Sequence, residues 1–298
     1  MFYGNWMSFI RDDAKITGIA MPGSHNSGTK GMNVFGRCQN GTLYDQAMHG
    51  VRMLDIRVRA DRKGRLFMAH GMIKGMTAEE GFKDIKRFLD ETDEFLILNI
   101  STYSVQDIGP ILIRFKGSDD TVNELVEKYL SPEKYALTEF EDIREITLGD
   151  IRKSGKRYVI NSENEEYKYS RNCPVFGPWD PAIFGLKPEK FAKECVDILR
   201  KNESEGFFWL QTQQTPGLGT ENGITKWPKQ LEKLDRPYFP QIISEIAADP
   251  ELLGKVNIIA GDFMDCDYVK ADEILNLNLL KGIVKEDKVE EYKKAIGR

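Results

Sequence analysis

The sequence predicts an α/β barrel built as one domain over residues 1–298. Short apolar runs alternate with amphipathic helical stretches along the whole chain, and the polar residues that could do chemistry stand where those runs end. The runs cover residues 16–21, 53–58, 95–100, 157–160, 207–210 and 256–260, lengths that suit buried parallel strands. Between them, residues 79–90 place Phe82, Ile85 and Leu89 on one helical face, and residues 188–200 begin with a proline suited to a first helical turn. The first run leads into Pro22-Gly23-Ser24-His25-Asn26-Ser27-Gly28-Thr29. That is not the Gly-x-Gly-x-x-Gly turn of an open doubly wound sheet, so a closed barrel is the better fit. Residues 161–181, polar and then rich in proline and aromatics, read as one long loop.

Composition narrows the function classes. With 41% hydrophobic and 30% charged residues over 298 positions, the chain can bury a full core. A net charge of −5 argues against wrapping nucleic acid, which needs a clustered excess of Lys and Arg, but leaves a small phosphate-bearing substrate open. No apolar run approaches the roughly 18–20 residues needed to span a bilayer, and residues 1–11 lack the features of a signal peptide. A monomer is expected, cytoplasmic unless a leader has been removed, and secreted or cell-surface in that case. Cys38, Cys173, Cys195 and Cys266 form no Cys-x-x-Cys pair, so they read as buried thiols, although two bridges are possible.

Only three histidines occur, and position separates them. His25 follows the first run in a turn set by Pro22 and Gly23, where a barrel presents side chains to its mouth. His70 ends a short run over residues 66–69 and precedes Gly71. His49 falls at the wrong end of its strand and reads as structural. Asp55, Arg57 and Arg59 alternate with Leu54, Ile56 and Val58, which gives the second strand one charged face. Inside a barrel such charges must pair or bind something, and Asp55 with Arg57 as a structural ion pair is the plain alternative. Asp262, directly after the last run, either orients a histidine or caps the next helix. Together these residues supply a base, an acid, an orienting carboxylate and a guanidinium. Met68, Met72 and Met76 read as core filler, with the lining of an apolar mouth as the alternative.

Asn5-Trp6-Met7, the stretch from Ile19 through Thr29, Asp45-Gln46, the block Gly50-Val51-Arg52-Met53-Leu54-Asp55-Ile56-Arg57 and His70-Gly71 resemble the bacterial phosphatidylinositol-specific phospholipases C, the X-domain family. The resemblance is strongest over residues 5–90, with further support from Thr147-Leu148-Gly149-Asp150 and Asp262. It implies a distorted TIM barrel and a metal-free cleavage giving diacylglycerol and inositol 1,2-cyclic phosphate. By the same resemblance His25 is the general base, Asp262 orients it, His70 is the general acid and Arg57 binds the phosphate. Asn26 and Asp55 fall beside the substrate, Asp55 as a partner that assists the acid.

The resemblance is incomplete. Asn26 stands where the metal-free enzymes usually carry Asp and matches the calcium-dependent eukaryotic branch. Calcium needs several acidic oxygens, however, while Arg57 occupies a carboxylate position of that branch and the strand end at Asn99 offers none. No cofactor is therefore expected. That strand end also lacks the bacterial Lys, and Asn161 or Ser162 replaces an Arg, so the headgroup stays open. A metal-dependent glycerophosphodiester phosphodiesterase is a second reading, although Asp55-Ile56-Arg57 breaks its acidic pair. A catalytically weak headgroup-binding barrel is a third. Peripheral membrane contact is expected through exposed aromatics. Of Trp6, Trp179, Trp209 and Trp227, Trp209 reads as core and Trp227 as the best rim candidate.

Overall fold

The computed structural model describes residues 2–61, 63–102, 105–108, 111–114, 119–162, 164, 166–171, 187–204, 206–214 and 226–298. Its strands are β1 (Met21–Ser24), β2 (Met53–Ala60), β3 (Leu66–His70), β4 (Ile73–Thr77), β5 (Leu96–Thr102), β6 (Val105–Ile108), β7 (Ile111–Arg114), β8 (Tyr158–Asn161), β9 (Ser170–Arg171), β10 (Trp209–Gln211) and β11 (Ile258–Gly261). In the main sheet the order β10-β11-β1-β2-β5-β8-β9 is parallel throughout, and β3 and β4 extend β2 as an antiparallel hairpin. The predicted α/β barrel class therefore holds, as a sheet curled around an inner core.

Alternation along β2 explains the two-sided packing. Leu54, Ile56 and Val58 face the outer helices in one apolar cluster, whereas Met53 joins Met21, Ile97, Val159, Trp209 and Ile258 in a second cluster inside the curl. Gly23 is required there, since a Cβ would come within 2.8 Å of Ile258 Cγ2 and 2.9 Å of the Ala260 Cβ. Trp6 and Ile10 belong to the same inner cluster. Helix α1 (Leu43–Met48) and helix α2 (Ala78–Glu91) both start with capping boxes, from Thr42 with Asp45 and from Thr77 with Glu80. Helix α2 then buries Phe82, Ile85 and Phe88 against the sheet.

Two expectations are corrected here. The first strand is Met21–Ser24 and not residues 16–21, because Ile16–Gly18 forms a 3₁₀ turn. Asn257 Nδ2 donates to the carbonyls of Ile16 and Ile19, and the Asn278 side chain pairs with both backbone groups of Ala20, so these amides take the bonds a strand would have used. The loop expected over residues 161–181 contains β9, paired with β8; residues 163, 165 and 172–181 lie outside the described residues.

Candidate active site

Strand register assembles the site. Ser24 pairs with Leu54 on one side and Gly261 on the other, so the next residues, His25, Asp55 and Asp262, come side by side, the first and last just past the C-terminal ends of β1 and β11 and Asp55 within β2. Asp55 pairs onward with Asn99, and Asn99 with Asn161. One layer below, the corresponding inward residues are Met53, Ile97 and Val159. Sequence alternation thus puts an apolar plug under a polar mouth.

His25 Nδ1 lies 2.7 Å from Asp262 Oδ1. Asp262 is only 3% exposed, and its backbone carbonyl accepts from Lys270 Nζ at 2.8 Å, while Lys270 also pairs with Glu232. The helix Val269–Leu280 begins well past Asp262 and has no side-chain cap, so Asp262 does not cap it. With the carboxylate accepting from Nδ1–H, His25 Nε2 keeps its lone pair, which accepts from Asn26 Nδ2 at 2.8 Å. Gln39 clamps the arrangement, its Nε2 donating to the carbonyls of both His25 and Gly261. Asn26 adopts a left-handed φ of 47°, tolerated because its backbone N–H donates to Asp55 Oδ2 at 2.9 Å.

His70 ends β3, and its ring centroid is 6.3 Å from that of His25, the planes crossing at 78°. Its Nδ1 donates to the Gly36 carbonyl at 2.9 Å. Burial, aided by the neighbouring His25, holds its imidazole below the ordinary value. Arg57 is oriented by Asp55, with Nε 3.0 Å from Oδ2 and Nη2 2.8 Å from it. The pair considered as a structural alternative therefore exists, and it also aims the guanidinium at the mouth. Burial works against the Asp55 charge, but Arg57 and His25 hold it below the usual carboxylate range. Asn26 and Asp55, expected beside the substrate, are each only 1% exposed.

The structure brings His25, His70, Arg57 and Asp262 together, and it keeps His49 apart. His49 bonds the Asp45 carbonyl and stacks on Tyr268 with centroids 4.7 Å apart. Trp6 is buried with its Nε1 donating to Gly50 O, which removes it from the rim, and Trp209 is core. Trp227 packs its ring 5.9 Å from that of the exposed Phe35, and Trp179 lies outside the described residues. Met68 is core, but Met72 is exposed and so is not filler. Sequence reasoning missed Cys38, a buried thiol 3.7 Å from His70 Nδ1 and 3.8 Å from Asn26 Nδ2, whose proton is held by burial and by nearby Asp262. Nothing local to Cys38 in the sequence marks it as belonging to the site.

Residues 16–105 match the family model for phosphatidylinositol-specific phospholipase C, X domain. A 1-phosphatidylinositol phosphodiesterase of Staphylococcus aureus is 27% identical over 144 residues, 47% of this chain and 43% of that protein. A variant-surface-glycoprotein phospholipase C of Trypanosoma brucei brucei is 26% identical over 211 residues, 56% of this chain and 55% of that protein. These alignments span about half of the relatives' own length. Among solved structures, the phosphatidylinositol-specific phospholipase C of Listeria monocytogenes superposes with a TM-score of 0.67 at 18% identity, over 93% of this chain and 98% of that one. A mutant of the Staphylococcus aureus enzyme reaches 0.63 at 17% identity, over 87% and 91%. The folds are alike.

Proposed function

We propose that this chain, whose residues 16–105 match the family model for phosphatidylinositol-specific phospholipase C, X domain, cleaves a phosphatidylinositol-type lipid without a metal, releasing diacylglycerol and a cyclic inositol phosphate. The observation that carries this reading is the pair of imidazoles 6.3 Å apart, one of them backed by a buried carboxylate, with a guanidinium beside them. His25 Nε2 takes the proton from the inositol 2-hydroxyl, whose oxygen attacks phosphorus. His70 delivers a proton to the departing glycerol oxygen as the P–O bond breaks. Arg57 balances the charge that collects on the non-bridging oxygens. Asp262 holds the His25 tautomer and stabilises its protonated form.

Calcium is not favoured, because Arg57 would set its charge against the cation and Asp55 is already committed to Arg57 and the Asn26 N–H. The mouth continues into amides: Asn161 Nδ2 donates to Asn99 Oδ1 at 2.8 Å, and Asn161 Oδ1 and Gln213 Oε1 are buried without a partner among the described residues. Such groups suit the hydroxyls of a polyol headgroup. Val34, Phe35 and Met72 are exposed apolar residues around Gly36 and His70, and they would rest on the bilayer surface. Turnover of a fluorogenic inositol phosphodiester in EDTA tests the reading. It should be abolished in His25→Ala, with a cyclic product seen by phosphorus NMR, and cleavage of the lipid itself, whose leaving oxygen needs a proton, should be lost in His70→Ala as well. Turnover only on addition of divalent ions would replace it with the metal-dependent alternative, and headgroup binding without any turnover would replace it with a binding barrel.

A further inference from the structure

His25, Cys38 and Asp262 lie on three separate segments, yet one donor atom from each falls within 4.8 Å of the others. The donors are an imidazole nitrogen, a thiol sulfur and a carboxylate oxygen. This set suits a thiophilic divalent ion of the zinc class and not calcium or magnesium, which prefer all-oxygen sites. A second observation points into the same spot. The Asn26 side chain is buried and covers the cluster, with its Nδ2 at 2.8 Å from His25 Nε2 and 3.8 Å from Cys38 Sγ. Its Oδ1 has no partner among the described residues. Rotating that amide turns a carbonyl oxygen toward an ion held by the other three.

We propose that His25, Cys38 and Asp262 form an inhibitory site for a zinc-class ion at the floor of the cleft. Binding exchanges the thiol proton for the metal, that proton leaving to solvent, while the imidazole stays neutral with its one N–H on the nitrogen the metal does not take, and the thiolate and carboxylate together neutralise the ion's two positive charges. The occupied imidazole has no lone pair left for a substrate hydroxyl. That inhibitory consequence rests on the function proposed above; the binding itself does not.

The test uses the full chain with Cys266→Ser, which removes an exposed thiol that could bind metal on its own. Co²⁺ titration, followed by the sulfur-to-cobalt charge-transfer band, and Zn²⁺ competition against a chromophoric chelator should each give one ion per chain. Adding Cys38→Ser should abolish the band and weaken Zn²⁺ at least tenfold. It should make turnover resistant to Zn²⁺. If Cys38→Ser loses its thermal transition, Cys38→Ala takes its place, and the band in the Cys38-containing chain already decides whether a thiolate binds. A band that survives without Cys38, or no binding at micromolar Zn²⁺, overturns the site. A Cys38-dependent band in a chain without phosphodiester turnover keeps the site and sinks the proposed function instead.

Discussion

His25 Nδ1 and Asp262 Oδ1 meet at 2.7 Å although 237 residues separate them, because β1 and β11 are paired in a register that sends both side chains out of the same end of the sheet. Asp262 is nearly buried, so the contact is poorly screened and fixes both the tautomer and the plane of the ring. Asp262→Asn keeps the shape but offers the ring an amide in place of a charge. We expect kcat to fall by about 10–100-fold, the usual effect of losing an orienting partner, with a smaller change in KM. Steady-state kinetics on a single inositol phosphodiester measures this. An equal loss in KM alone would mean that Asp262 serves binding and not the base.

The two histidines should separate by leaving group. A diacylglycerol alkoxide needs a proton to depart, whereas a nitrophenolate does not. His70→Ala should therefore reduce lipid cleavage by about a hundredfold or more and spare most of the turnover of a nitrophenyl inositol phosphodiester. His25→Ala should cripple both. Parallel losses in His70→Ala on the two substrates would remove it from the role of acid.

Much of this site was legible in the sequence because its main residues end apolar runs, and in a parallel sheet strand ends share one rim. Alternation over residues 53–60 likewise revealed an inward face carrying Asp55, Arg57 and Arg59. What stayed hidden depends on contacts between distant segments. The apolar stretch 16–20 looks like a strand but is diverted by Asn257 and Asn278 side chains. Trp6 looks like a rim aromatic until Gly50 is seen to accept its N–H in the core. Cys38 and Gln39 enter the site through Thr29, whose Oγ1 accepts from both of their backbone N–H groups at 3.0 Å.

Membrane contact should depend on Phe35. Its side chain is 63% exposed beside Val34, in the segment that includes Gly36, whose carbonyl holds His70. Burying one aromatic ring in a lipid interface is worth about 1.5–3 kcal/mol. Phe35→Ala should therefore weaken vesicle binding by about tenfold or more while leaving cleavage of a short soluble substrate unchanged. Sedimentation with phospholipid vesicles gives the first number, and equal binding by both forms would place the contact elsewhere.

At the opposite end of the sheet, Arg52 is buried between Trp6 and Phe88, with Nε 2.9 Å from Glu94 Oε2. Glu94 also accepts from the backbone N–H groups of Met7 and Ser8, tying the N-terminal segment to the barrel floor. Arg52→Met would strand that carboxylate in the core and should destabilise the fold by about 3–5 kcal/mol. Urea unfolding measures the loss. Residual turnover per folded molecule should be unaffected, since the pair is remote from the cleft.

Asp235, at the end of the helix Pro228–Asp235, makes stability depend on pH. Its carboxyl is pushed up to about 7, first by burial and then by nearby Glu232, although Gln214 Nε2 donates to Oδ1 at 2.7 Å. Oδ2 has no partner among the described residues. The folded protein keeps this proton up to about pH 7, whereas the unfolded chain releases it near 3.8. Between those values unfolding sheds a proton, so this group's contribution is complete below about 3.8 and declines as pH rises toward 7. Over that window the decline is at most about 4 kcal/mol. Asp235→Asn removes the titration while preserving shape, so it should be more stable than the parent at pH 8 and close to it at pH 4. Urea midpoints of the two forms at both pH values test this, and curves that stay parallel would show that the carboxyl ionises without consequence for the fold.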